Sequence, residues 1–183
     1  EMYERLPKKA QDFWWIGNMH NRYAYAWEDN FDFEQALHHN ALAVEANREI
    51  NNEEAIRGGM LNIGYMLLKM GAGDEAIKYV KQAIDSSGKY PLITALAYGV
   101  MGRAYQVVDE FEQAKQYYEK AFHTAPKPYI ELIYLCEVIA SHLAQGEIEE
   151  VEQLVNFAAK VEAKNPLSGH ALVTMLIARA QLA

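Results

Sequence analysis

Apolar and polar residues recur along this chain at the three-to-four-residue spacing of helix faces, and no stretch shows sustained alternation. The pattern therefore predicts helices and no sheet. A first long helix opens at Pro7, a favoured first-turn residue, and continues to about Glu28. Asp29-Asn30-Phe31-Asp32 turns the chain into a second helix ending near Asn51, and Asn51-Asn52-Glu53-Glu54 supplies a cap and first-turn acids for a third, which runs to Met70. A fourth spans about Asp74 to Ser86, a fifth Pro91 to Val108 and a sixth Phe111 to Thr124. The seventh reaches Ala144, the eighth covers Glu147 to about Ala163, and Asn165-Pro166 opens a ninth.

The helices come in pairs at a nearly fixed interval. Gly64, Leu67, Ala76 and Ala83 recur 38 residues later as Gly102, Tyr105, Ala114 and Ala121. Ala24, Trp27, Ala36 and Ala43 stand 40 residues before the first set, and Ile139, His142, Val151 and Ala158 follow the later one by 37. A period of this length means a stacked solenoid. Ala114 and Ala121 are seven residues apart, close to two helical turns, so they lie on one stripe and let helix backbones approach. Tyr105 and Tyr118 are expected to fill the space beside that contact, as Leu67 and Val80 do one repeat earlier. Gly71 stands where a helix C-cap wants positive φ, and Asp74 is expected to cap the helix that follows.

The segment Tyr98 to Pro126 resembles a tetratricopeptide repeat: Gly102, Tyr105, Ala114, Tyr118, Ala121 and the closing Pro126 stand at that family's positions. The second repeat matches nearly as well, with Gly88 in place of the closing Pro; the first has Ala24 for Gly and Asn40 for the usual aromatic. The fourth departs most, with Ile139 and Val151 replacing small residues. The resemblance covers about residues 8 to 165 and implies an all-α fold, a right-handed α-solenoid of about four helix pairs plus a C-terminal helix, in a single domain over 1–183. Repeats longer than the usual 34 residues resemble those of bacterial peptide-sensing regulators. By that likeness the chain is expected to be the sensory or docking part of a larger regulatory protein.

The resemblance also implies that the first helix of each pair lines a concave, peptide-binding groove. Carried over by position, the groove residues are Asn18, Asn21, Tyr25 and Glu28, then Leu61, Asn62, Tyr65 and Lys69, then Leu96, Val100, Arg103 and Gln106, then Ile133, Cys136, Glu137 and Ala140. Of these, Asn18, Asn21, Tyr25, Asn62, Tyr65, Arg103 and Glu137 are the candidate contacts. Asn amides can pair with a peptide backbone, Tyr adds apolar area with a polar tip, and Arg103 can hold a carboxylate in a fork. A receptor for chaperone tails would need Lys at Asn21 and Leu96 and Arg at Val100, so that variant is disfavoured.

Composition narrows the partners. The chain of 183 residues is 51% apolar and 23% charged, which suits a folded protein, and no apolar run nears the roughly 20 residues that span a membrane. A net charge of −8 with scattered Lys and Arg argues against binding nucleic acid. One cysteine, Cys136, excludes an intrachain disulfide and suits a reducing, cytoplasmic setting; its apolar neighbours point to a core or groove-lining role rather than a nucleophile. Glu1 in place of an initiator Met, and an end inside a helical stretch, read as a piece of a longer protein.

Catalysis finds little footing. No His has a His or Cys partner three or four residues away, so no zinc site and no cofactor is expected; His38 and His39 are adjacent and face different ways. Gly58-Gly59 falls within a predicted helix and suits a close helix approach or groove opening, not a phosphate loop. Phe13, Trp14, Trp15, Tyr23, Tyr25 and Trp27 crowd one helix, as core or as an interface. The ninth helix is apolar on most faces and asks for cover by a further repeat or by a second copy, giving a homodimer through that helix. The expected function is a non-enzymatic protein- or peptide-binding scaffold; the alternative is a structural module that self-associates through its terminal helices.

Overall fold

The structure is a computed structural model. It describes residues 7–85, 88–124, 135–136, 138–140, 142–143, 146–162 and 169–182, and among these there is no strand. The helices are α1 (Lys8–Asp29), α2 (Phe33–Glu49), α3 (Glu53–Lys69), α4 (Gly73–Ala83), α5 (Pro91–Val107), α6 (Phe111–Thr124), α7 (Ile148–Glu162) and α8 (Gly169–Gln181). Between α6 and α7 the described residues 135–136, 138–140 and 142–143 are helical. The chain divides into two compact units, Glu1–Ile93 and Thr94–Ala183.

The helix starts follow local chemistry. Asp32 Oδ1 accepts from the Gln35 amide at 3.0 Å and caps α2; Asn52 Oδ1 accepts from the Ala55 amide at 3.3 Å and caps α3. Such caps each satisfy an amide that has no partner inside the helix. Asp74 does not cap α4 as expected. The N-cap is Ala72, and Asp74 sits inside the first turn, where with Glu75 it complements the helix dipole. α4 also stops at Ala83, short of Ser86, because Ile84 turns extended with ψ 127°. That exit is held from α3: Arg57 Nη1 donates to the Ile84 carbonyl at 2.9 Å, while Asp85 Oδ2 accepts from the Lys89 amide at 2.8 Å.

One turn joins the two helices of every repeat. Phe31, Gly71, Asp109 and Gly146 have φ of 60°, 79°, 60° and 75°, and they stand at the repeat interval. The next amide in each case, at Asp32, Ala72, Glu110 and Glu147, donates back five residues to the carbonyls of Trp27, Leu67, Tyr105 and His142 at 2.9–3.0 Å. This is the six-to-one closure of a Schellman motif, which needs one left-handed residue. Two repeats supply Gly and two accept the strain of a side chain.

In the first unit α1 packs on α2, α2 on α3 and α3 on α4. Gly64 and Gly59 set the closest approaches: a Cβ on Gly64 would collide with Val80 of α4, and one on Gly59 with Val44 of α2. Gly58 has open space instead, so only Gly59 of that pair makes a helix contact. Ala36, Ala43, Ala76 and Ala83 are all buried, as small-residue stripes require.

In the second unit Tyr118 lies fully buried over Gly102, whose Cβ would fall 2.6 Å from the ring, and its hydroxyl donates to Gln106 Oε1 at 2.7 Å. Ile139 and Val151, the large residues of the fourth repeat, are buried with Leu135, Cys136, Met175 and Ala178 in one cluster. Lys115 of α6 reaches Glu147 at 2.7 Å, and this bond holds the Glu147 carboxyl below its ordinary value of 4.5.

Candidate groove and neighbouring cavities

In the first unit the groove candidates come from α1 and α3. Repeat spacing sorts them into columns, and burial separates the columns. Tyr25, Tyr65 and Arg103 share one repeat position; Tyr25 is 56% exposed, Arg103 is exposed and Tyr65 is half-buried. Asn62 is half-buried, and the residue 40 before it is Arg22, which is exposed. Arg22 was not among the sequence candidates, although the repeat interval alone points to it. Asn21 belongs with Leu61 and Gly99, both buried, so its column faces helix packing and Asn21 is itself only half-buried. Leu61, expected on the groove, belongs to the core.

Polar contacts tie several of these side chains down. Asn18 Nδ2 donates to the Trp14 carbonyl of its own helix at 2.8 Å. Lys69 Nζ meets Glu28 Oε1 at 3.0 Å, linking α3 to α1, and lies 5.0 Å from the Tyr65 ring centre and 5.4 Å from that of Phe33. The bond to Glu28 raises the Lys69 pKa, with a further contribution from Tyr65. The ammonium is thereby fixed beside two aromatic faces. Gln106 is engaged by Tyr118, and Cys136, at 1% exposure, is in the core and not on a groove. Glu137 and Ile133 lie outside the described residues.

A cavity also lies among α2, α3 and α4 of the first unit. Val44, Met60, Ile63 and Leu67 are among the apolar residues lining this cavity of about 630 Å³, and Tyr79 and Arg48 line it as well. The residues 38 positions after Met60, Leu67 and Tyr79 are Tyr98, Tyr105 and Tyr117. In the second unit these stack, Tyr105 on Tyr117 at 5.3 Å and 12°, with Tyr98 6.0 Å from Tyr117. In the first repeat the same positions hold His20, Trp27 and His39. His20 Nδ1 and His39 Nδ1 are 2.9 Å apart, one donating to the other across α1 and α2. Burial, then the neighbouring His39 and His38, lower the His20 pKa and favour the neutral ring.

α1 also carries an uncovered apolar face. Trp15, Ile16, Met19 and Tyr23 are all exposed, while Trp14, whose ring meets Trp15 edge-on at 5.1 Å, is half-buried. The residues 40 positions later are Ala55, Ile56, Gly59 and Ile63, of which Gly59 and Ile63 are buried and Gly59 lies against α2. In α8, Met175 and Ala178 are buried and Leu176 and Ile177 exposed; Leu167 and the side chains of Ala171, Leu172 and Val173 lie outside the described set. Among the described residues no helix is long and apolar enough to cross a membrane, and no three His, Cys, Asp or Glu gather as a metal-binding group.

Comparison with known proteins agrees with this architecture. A tetratricopeptide repeat model matches residues 59–90 and 95–128. No curated protein matches the sequence. Among solved structures, the nearly identical TPR-like repeats of a candidate kinesin light chain from Podosopora anserina superpose with TM-score 0.68 at 16% identity, covering 90% of this chain and 82% of that one. BtubC (BKLC) from P. vanneervenii gives 0.73 at 18% identity over 91% of this chain and 70% of its own. A MamA protein gives 0.58 at 16% identity over 91% and 84%. Residues 59–90 and 95–128 are thus tetratricopeptide repeats, and the chain around them has the all-α solenoid fold of tetratricopeptide-repeat proteins.

Proposed function

We propose that this protein is a non-enzymatic scaffold that binds an extended peptide or protein segment along α1 and α3, as the docking or sensory part of a larger regulatory protein in a reducing, cytoplasmic setting. The observation that carries this reading is the pairing of repeat columns. Tyr25, exposed, and Tyr65, half-buried, stand one repeat apart, and Arg22 and Asn62 flank them one helical turn before. Such a ladder offers a peptide alternating aromatic and hydrogen-bonding contacts at a repeated interval. Glu28 and Lys69 are already paired and add little net charge to the surface. Arg103 stands at the same repeat position in the second unit, with Glu137 a further candidate there.

The test is a peptide-display selection on the intact chain, followed by titration of the best ligand against Tyr25→Ala and Asn62→Ala. Each substitution is expected to cost about 1–2 kcal/mol of binding, the range for an aromatic anchor and for a buried polar contact. Unchanged affinity in the double variant would sink the groove reading.

A second reading rests on the uncovered α1 face: the chain self-associates through its terminal helices, Trp15, Met19 and Tyr23 of one copy meeting Leu176 and Ile177 of another. Exposed apolar patches of this kind mark interaction sites. Sedimentation velocity over a wide concentration range is expected to show association that Met19→Lys abolishes; a monomer throughout rules the reading out.

A further inference from the structure

We propose that His20 and His39 form a two-imidazole chelate for a divalent transition-metal ion of the Cu(II) or Ni(II) type, bridging α1 and α2. Metal–imidazole bonds of about 2.0–2.1 Å meeting at a right angle place their nitrogens about 2.9 Å apart. The two Nδ1 atoms stand at 2.9 Å. They are held there from separate helices, 19 residues apart in sequence, so the spacing is a product of the fold.

The repeat gives a reason to read the pair as more than packing. The corresponding pairs in the later repeats are Met60 and Tyr79, Tyr98 and Tyr117, and Leu135 and Leu154. Apolar or aromatic side chains therefore suffice to fill this position between paired helices. Two half-buried imidazoles add only lone pairs and a hydrogen bond, at a cost in desolvation. The ring centroids are 5.1 Å apart with planes at 26°, so the lone pairs now meet nearly head-on around one shared proton. Exchanging that proton for a metal ion requires each ring to swing so that both lone pairs converge beside the line joining the nitrogens. Room to swing exists on the His20 side, where that ring opens on a cavity of about 470 Å³ also lined by Phe13 and Leu42. Tyr23 and His38 are the other titratable neighbours, with rings 5.3 Å and 5.5 Å from His39. Water completes the coordination, as suits a tetragonal site with open positions.

Nickel chloride alone is the probe, titrated into the intact chain by calorimetry and followed by thermal unfolding. One ion is expected to bind and to raise the melting temperature in a saturable way. His20→Gln or His39→Gln should weaken binding more than about a hundredfold, beyond the roughly 10–100-fold that loss of a supporting group costs. His123→Gln, an exposed imidazole outside the pair, should leave binding unchanged. Paramagnetic broadening in the unaltered chain supplies a readout that needs no variant: the resonances of His20, His39 and Tyr23 should disappear first. The proposal is overturned by any of three results: no stabilisation at millimolar nickel, binding by the His20→Gln or His39→Gln variant as tight as that of the unaltered chain, or broadening centred on other histidines.

Discussion

Three glycines on helices of this chain differ in what a side chain there would meet. Gly102 makes room for the Tyr118 ring, which is fully buried and held by Gln106, so a methyl group there has nowhere to go. Gly102→Ala is expected to cost about 1–3 kcal/mol, the usual penalty for overpacking. Gly58, in the body of α3, faces open space, and Gly58→Ala should stabilise by about 0.5–1 kcal/mol through helix propensity alone. Urea unfolding of the two variants checks both signs; equal effects would mean that the Tyr118 contact does not constrain the backbone. Gly59, like Gly102, is closed by a neighbouring helix, here through Val44. The sequence places all three on helices, yet only the neighbouring helix tells them apart, which is why Gly58-Gly59 reads as one feature until the fold is known. The His20–His39 contact was hidden for the same reason: a search at three or four residues finds partners on one helix and never across a pair. Arg22 was within reach, since the repeat interval points to it directly. Asn21 is half-buried because its column holds Leu61 and Gly99 elsewhere, and a column's burial is a property of packing.

The turn within each helix pair was the most legible element, because one left-handed residue and one closing hydrogen bond recur at the repeat interval. Gly71 and the polar pair Asp109-Glu110 announced it in the sequence, Asp being among the few side chains that tolerate positive φ, whereas nothing in Phe31 itself favours that conformation. Its conformation follows from the closure, which the backbone imposes whatever side chain is present. Gly71→Ala is expected to lose about 1 kcal/mol, the cost of a Cβ in this region. Phe31→Gly should gain about 0.5–1 kcal/mol, because the ring is 80% exposed and little packing is lost. Melting temperatures shifting in opposite directions would bear this out, and a loss at Phe31→Gly would mean the ring is held by Phe33, whose centroid lies 6.3 Å away. The end of α4 was less legible. Its apolar spacing continues to Ser86, but Arg57 draws the Ile84 carbonyl away from the helix, and that donor comes from another element.

At the scale of the molecule, the repeat interval established the class of fold from sequence, and the structure adds a division into two units within α5. That division has a practical consequence. All three tryptophans, Trp14, Trp15 and Trp27, stand on α1 in the first unit, and the single cysteine, Cys136, is buried in the second. The chain thus carries two native reporters, one for each unit, that share neither chemistry nor neighbourhood. Tryptophan emission follows the opening of the first unit, and the rate at which a thiol reagent reaches Cys136 follows the opening of the second. Repeat proteins lose cooperativity wherever the coupling between neighbours is weak. The two signals are therefore expected to change at different urea concentrations; coincident curves would instead make α5 a rigid strut that transmits unfolding from one end of the chain to the other.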